Sequence, residues 1–160
     1  MHLPLPCAFP QKHLRMDTQN FIFRYPGYVN EIVTDCLVIK ATSGMLTNAK
    51  EIVGFPFQAL WDTGATNSMI TSRVVAQLNL KPVTYATVYH AGGESEVPVF
   101  LAYISLPNDI LIGPLQVIEG QLEGVDVLIG MDIIGNGDFV ITNNEDHTTL
   151  SYTTPSTMKV

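Results

Sequence analysis

The chain has 160 residues, 46% of them hydrophobic and 14% charged, which suffices for one well-buried core and is too short for two ordinary domains. Eight basic residues stand against fifteen acidic ones, a formal charge of −7 with no Lys/Arg cluster, which argues against a nucleic-acid partner. No run approaches the roughly 18 apolar residues that span a bilayer, and the Pro-rich opening Met1-His2-Leu3-Pro4-Leu5-Pro6 lacks the layout of a secretory leader, so the expectation is a soluble cytoplasmic protein without a membrane partner.

Residues 1–28 are rich in proline and aromatics, end in Phe21-Ile22-Phe23-Arg24-Tyr25-Pro26-Gly27-Tyr28, and carry no sustained periodicity. They read as an N-terminal arm, either a flexible leader or a segment whose aromatics dock on its own or a partner subunit. Residues 29–154 form the expected folded unit and 155–160 a short tail. Ile32–Lys40 and Ile52–Trp61 are β-rich runs separated by the turn residues Thr42-Ser43-Gly44 and Thr47-Asn48. Pro56 has no N–H for a ladder, so it belongs at an edge or a bulge. Thr71 or Ser72 is the N-cap of a predicted helix that reaches Leu80, with Val74, Val75 and Leu78 on its apolar side. Val83–His90, Val97–Leu106, Ile110–Ile118, Val125–Ile129, Phe139–Thr142 and Thr148–Tyr152 continue as strands, the last two closing as a hairpin through Asn143-Asn144-Glu145-Asp146. Many short strands with one or two short helices predict an all-β fold, a closed or partly closed barrel. Cys7 and Cys36 have no metal-ligand spacing, and His2, His13, His90 and His147 are scattered, so neither a zinc site nor a disulfide framework is expected.

The chemistry is concentrated in Ala59-Leu60-Trp61-Asp62-Thr63-Gly64-Ala65-Thr66, where an apolar strand feeds one carboxylate into an Asp-Thr-Gly turn. A carboxylate there can hold and activate a water while a partner carboxylate carries the shared proton, the chemistry of an aspartic peptidase. Thr63 supplies a hydroxyl and a backbone donor beside it, and Gly64 permits a tight turn close to another segment. Further along, Val125-Asp126-Val127-Leu128-Ile129-Gly130 is a hydrophobic run closed by glycine, followed by the short helical pattern Met131-Asp132-Ile133-Ile134.

With Asp62-Thr63-Gly64-Ala65, a glycine-bearing central segment and Val127-Leu128-Ile129-Gly130 in that order, the chain resembles the retropepsin-like aspartic proteases over about residues 30 to 152. The resemblance implies that the strand containing Leu128, Ile129 and Gly130 threads the loop around the catalytic turn, with the following helix packed beneath the site. Retroviral members usually carry an acidic residue after the Asp-Thr-Gly-Ala run and an arginine after the later glycine, which pair. Here Thr66 and Met131 stand in those places, so neither charge is left without its partner, and the chain looks more like the cellular and bacterial members.

A pepsin-type chain holds two Asp-Thr-Gly turns and this one holds one, so a second copy of the chain is the expected partner, with each subunit donating half of the site. The resemblance implies an aspartic endopeptidase acting on an extended peptide or protein substrate, with Asp62 catalytic and no metal or other cofactor. It also implies that Thr63 reaches across the two-fold axis; its simpler role is a local turn hydroxyl. By position, Tyr89-His90-Ala91-Gly92-Gly93-Glu94-Ser95-Glu96 resembles the family's flap, with His90, Ala91, Gly92 and Gly93 near its tip. The alternative is an ordinary glycine hairpin. Asn67 and Ser68 are candidate contacts to the substrate backbone, whereas Trp61 reads as core. Ala65 replaces a serine found in many pepsin-type sites and removes a donor to the carboxylate, which predicts an optimum nearer weakly acidic to neutral pH than a pepsin's. The rival reading is a catalytically silent dimer that binds extended peptides by strand addition.

Overall fold

The computed structural model describes residues 17–41, 54–90 and 92–158. Among them, ten strands and two short α-helices follow in the order β1 (Gln19–Arg24), β2 (Val33–Lys40), β3 (Gly54–Trp61), β4 (Met69–Ile70), α1 (Ser72–Gln77), β5 (Thr84–His90), β6 (Gly93–Leu106), β7 (Ile110–Glu119), β8 (Val127–Ile129), α2 (Met131–Ile134), β9 (Asp138–Asn143) and β10 (Thr148–Thr154), with a 3-10 turn at Pro107–Asp109 between β6 and β7. The all-β expectation holds. Strands β2-β3-β8-β4-β7-β6 are neighbours in that order, and an additional β2–β6 pairing closes them into a barrel, with β5 attached to β6 outside the ring.

Alternation explains how the barrel fills. In β2, Thr34, Cys36 and Val38 are buried while Asp35 and Leu37 face out, because successive side chains of a strand point to opposite faces. Burial pushes the Cys36 thiol up to about 12, reinforced by the charges of Asp35 and Asp126, so it stays protonated and behaves as a small apolar core residue. Pro56 pairs with Leu37 of β2, and β8 covers β3 only from Ala59 to Trp61, so the proline lies where β3 has a neighbour on one side.

A second sheet, in the order β1-β10-β9, packs on the barrel through aromatic side chains. Trp61 is its pivot: its ring stacks on Phe139 at a centroid distance of 5.4 Å and meets Tyr152 at 5.3 Å and Phe21 at 5.9 Å. Its indole N–H donates to the Thr34 hydroxyl at 2.9 Å, which satisfies a polar atom inside the core. The Tyr152 hydroxyl donates to the Ile133 carbonyl at 2.7 Å, tying β10 to α2.

Four features depart from the sequence expectation or add to it. The stretch read as an arm contains β1, which runs antiparallel to β10 from Gln19↔Thr154 to Arg24↔Thr149 and buries Phe21, in keeping with the reading in which its aromatics dock on their own subunit, so packing continues across residue 28. The alternating pattern of β1 was hidden by the prolines and aromatics around it. Helix α1 stops at Gln77 and not at Leu80, because Asn79 takes a positive φ of 47°, a conformation that ends helices. Thr71 sits at the N-cap position, but its hydroxyl donates to Asp126 at 2.8 Å instead of capping. Beyond Thr154, the Ser156 hydroxyl and the Thr157 and Met158 backbone N–H groups donate to the Asp138 carboxylate, which holds its carboxyl below the usual range. Cys7, His2, His13 and the turns at Thr42–Gly44 and Thr47–Asn48 lie outside the described residues.

Replacing Phe21 by Ala removes a ring buried to 2% exposure between Trp61 and Tyr152, and should cost about 3–5 kcal/mol in urea unfolding. A loss below about 1 kcal/mol would show that β1 is dispensable to the core.

Candidate active site

Strand β3 carries Asp62 to the edge of the barrel. It pairs parallel with β8 as Ala59↔Val127, Leu60↔Leu128 and Trp61↔Ile129, and the Asp62 backbone N–H adds one more bond, to the Ile129 carbonyl at 2.9 Å. The chain then turns. The Ala65 N–H returns to the Asp62 carbonyl at 3.2 Å, and the Gly64 N–H donates to Asp62 Oδ1 at 2.8 Å, an Asx-type turn that orients the carboxylate with its own backbone. Asp62 is half-buried, Thr63 and Gly64 are exposed, and the Thr63 hydroxyl has no hydrogen-bond partner among the described residues.

After the turn, β4 comes back antiparallel to β8, as Met69↔Leu128 and Ile70↔Val127. Strand β8 therefore lies between the two strands that flank the turn, and residues 62–68 bridge over its end. Leu128 and Ile129 are buried there. Gly130 emerges directly beneath the bridge: a Cβ at this position would lie 2.7 Å from the Asn67 carbonyl carbon and 2.9 Å from the Ala65 carbonyl oxygen. Only glycine fits at that separation.

The close approach is secured by the first turn of α2. The Met131 N–H donates to the Ala65 carbonyl at 2.8 Å and the Asp132 N–H to the Thr66 carbonyl at 3.2 Å. These are helix-start donors that lack an intrahelical acceptor, satisfied here by the turn. Ser68, expected as a substrate contact, is instead fully buried: its N–H and hydroxyl donate to the two Asp132 oxygens at 2.9 and 2.7 Å, and its Oγ accepts the Gly130 N–H at 3.1 Å. Thr66 and Met131 both stand at the surface, so the tie between turn and helix is Ser68–Asp132 and not an acid–arginine pair. Nothing in the Ser68 sequence context marks it as buried; the signal is its seating between the turn and Asp132, which are 64 residues apart. Asp126 accepts from Thr71 and, at 2.8 Å, from Arg73, so it too is engaged in structure.

Strands β5 and β6 form a hairpin with His90 opposite Gly93. Gly93 has φ of 122°, and a Cβ there would meet nothing within 4 Å, so backbone conformation and not space requires the glycine. Ala91 lies outside the described residues, Gly92 is exposed in the turn, and Asn67 is exposed at the far side of the Asp62 loop. Two open cavities adjoin these elements. One of about 330 Å³ borders Asp62 and Thr63 and is walled by Ile32, Phe139 and Ile141. The larger, about 730 Å³, lies between Met69 of β4, Ile118 of β7 and Val88, Ser95 and Val97 of the hairpin; Asp62 does not line it. No group of three or more His, Cys, Asp or Glu suited to a metal ion occurs among the described residues.

The family model described as "gag-polyprotein putative aspartyl protease" matches residues 49–136, a span that holds the Asp62 turn, the hairpin and the Gly130 element. The chain belongs to that family. The fold agrees: a retropepsin-like aspartic protease from Rickettsia conorii superposes with a TM-score of 0.54 at 14% identity, over 86% of this chain and 95% of that one. The simian foamy virus (mac) protease aligns with a TM-score of 0.42 at 14% identity, over 64% of this chain and 92% of that one. No curated protein sequence matches. Family and fold thus agree on the retropepsin-like aspartic protease family.

Gly130→Ala should displace the Asp62 turn, since its methyl would sit 2.7 Å from backbone that cannot give way. The expected result is a loss of about 2 kcal/mol or more in chemical unfolding, together with faster amide exchange at residues 64–68. An unchanged exchange pattern would mean that Gly130 does not support the turn.

Proposed function

We propose that this chain is an aspartic endopeptidase that works as a homodimer, with one Asp62 from each subunit forming a single dyad. The observation that carries the proposal is the Asp62 turn itself. Its backbone is fixed by β8 and α2, one carboxylate oxygen is held by the Gly64 N–H, and the side chain remains open to solvent beside an apolar-walled cavity. A polar group so rigidly presented, yet not used within its own chain, suits a partner brought from outside.

The second copy has a place to dock. Strand β9 is an edge of the β1-β10-β9 sheet, its Val140 and Ile141 are 37% and 44% exposed, and Ile141 lines the same cavity as Asp62 and Thr63. An apolar edge that is unpaired among the described residues invites another strand. A two-fold axis beside it sets the two Asp62 turns face to face, and Thr63, exposed and without an acceptor of its own among the described residues, reaches the partner's turn.

Two carboxylates about 3 Å apart cannot both ionise readily, so the pair shares a proton. The ionised member takes a proton from water as the water oxygen bonds to the peptide carbonyl carbon. The protonated member gives its proton to the carbonyl oxygen, which leaves a neutral gem-diol. Collapse of the diol breaks the C–N bond as the member now protonated gives its proton to the nitrogen and the ionised member takes one from a diol hydroxyl, so the dyad ends with its single proton. The His90–Gly93 hairpin is the flap of this reading, and Asn67 a contact to the substrate backbone. Ala65 offers no hydroxyl to stabilise the charged carboxylate, which keeps the working range near weakly acidic to neutral pH.

Cleavage of an unbiased peptide mixture from pH 3 to 8 tests the reading. Wild type should cut, with its optimum above about pH 4, while Asp62→Asn should be silent at every pH. Specific activity should fall on dilution through the dimer dissociation constant. Equal silence of wild type and variant at concentrations where sedimentation finds a dimer would overturn it, as would an optimum below about pH 3 for the account of Ala65.

A further inference from the structure

The larger groove has a chemistry that the catalytic reading does not use. Its bed is apolar, made by Met69, Val88, Val97 and Ile118, and Glu119 stands on its wall. Gly120 gives the Met69 side chain its room, since a Cβ at that position would lie 2.0 Å from the Met69 methyl. The acid is held in place by its backbone: Glu119 is in register with Ile70 across the parallel β4–β7 pair, and the next N–H, of Gly120, donates to the Ile70 carbonyl at 3.0 Å.

Glu119 is partly buried and has no basic or hydrogen-bonding side-chain partner among the described residues, and neither lysine nor arginine lines the groove. The nearest cation in sequence to the β4 wall, Arg73, is engaged with Asp126 at 2.8 Å. The hairpin acids Glu94 and Glu96 are exposed and do not line the groove. A carboxylate set against apolar surface without a counter-charge leaves attraction unsatisfied, which an incoming cation can use.

We propose that this groove selects a basic side chain of the substrate, with Glu119 as the specificity-determining residue. A lysine or arginine lays its methylene stem on Met69, Val97 and Ile118 and brings its charge to the Glu119 carboxylate, the division of labour natural to these long amphipathic side chains. The inference rests on the protease reading for its peptide substrate. The groove lies along the strand that leaves the Asp62 turn and under the hairpin, so it reads one position at a fixed offset from the cut bond. In the homodimer it occurs twice.

The test uses peptide pairs that differ by Lys against Met at one position, scanned along an extended sequence. Cleavage is measured with the wild type and Glu119→Gln, and binding with Asp62→Asn alone and combined with Glu119→Gln. At one offset the Lys peptide should be preferred about tenfold or more, the Glu119→Gln change should abolish that preference, and added salt should reduce it. Glu119→Lys should turn the preference toward Glu peptides. Retention of the Lys preference in Glu119→Gln, or its absence at every offset in wild type, would overturn the assignment. Binding that depends on Glu119 without any cleavage would instead sink the protease reading and leave the groove assignment standing.

Discussion

Everything at the candidate site depends on one close contact, the passage of Gly130 beneath the loop that follows Asp62. Two backbones approach so nearly that a Cβ would be 2.7 Å from the Asn67 carbonyl carbon, and the approach lets the α2 N–H groups reach the Ala65 and Thr66 carbonyls. With the Ser68–Asp132 pair, several hydrogen bonds converge on a loop of seven residues, 62 to 68. Each is worth only about 1 kcal/mol net. Their value lies less in stability than in fixing the backbone that presents the Asp62 carboxylate, which a reaction between groups a few ångströms apart requires.

The site is tied to the rest of the molecule through Trp61. One residue before Asp62, its ring joins barrel to terminal sheet and touches Phe21, Phe139 and Tyr152. The β1-β10-β9 sheet is thereby held beside the Asp62 turn, and its β9 edge, unpaired among the described residues, lies against the cavity that Asp62 borders. In the proposed dimer, core packing, subunit contact and dyad geometry are consequences of the same few side chains. A mutation that loosens the aromatic cluster would be felt at the carboxylates without touching them.

Local pattern made most of the strands legible in the sequence. Thr34, Cys36 and Val38 alternate with outward residues, and the turn signals at Gly92-Gly93 and Asn143–Asp146 mark two hairpins at the right places. The Asp62 turn and its glycine counterpart were legible for a different reason: both need residue types that few other backbones demand. What stayed hidden is non-local. Phe21 looks like part of an irregular leader until β10, more than 120 residues away, pairs with it. Ser68 looks like a surface hydroxyl until Asp132 meets it, and Glu119 looks like any strand-end acid until β4 and the hairpin enclose the space beside it. Helix α1 ended early because a positive-φ asparagine outweighed an apolar spacing that continued to Leu80.

The central claim is that two chains share one dyad, and mixing tests it most directly. A fixed amount of wild-type protein is equilibrated with increasing Asp62→Asn protein, and peptide cleavage is followed. If each site needs an Asp62 from both subunits, wild-type chains are drawn into inactive mixed dimers and activity falls toward zero as the variant goes into excess. Activity that stays at the level set by the wild type alone would contradict the shared dyad, because each Asp62 would then be working within its own chain.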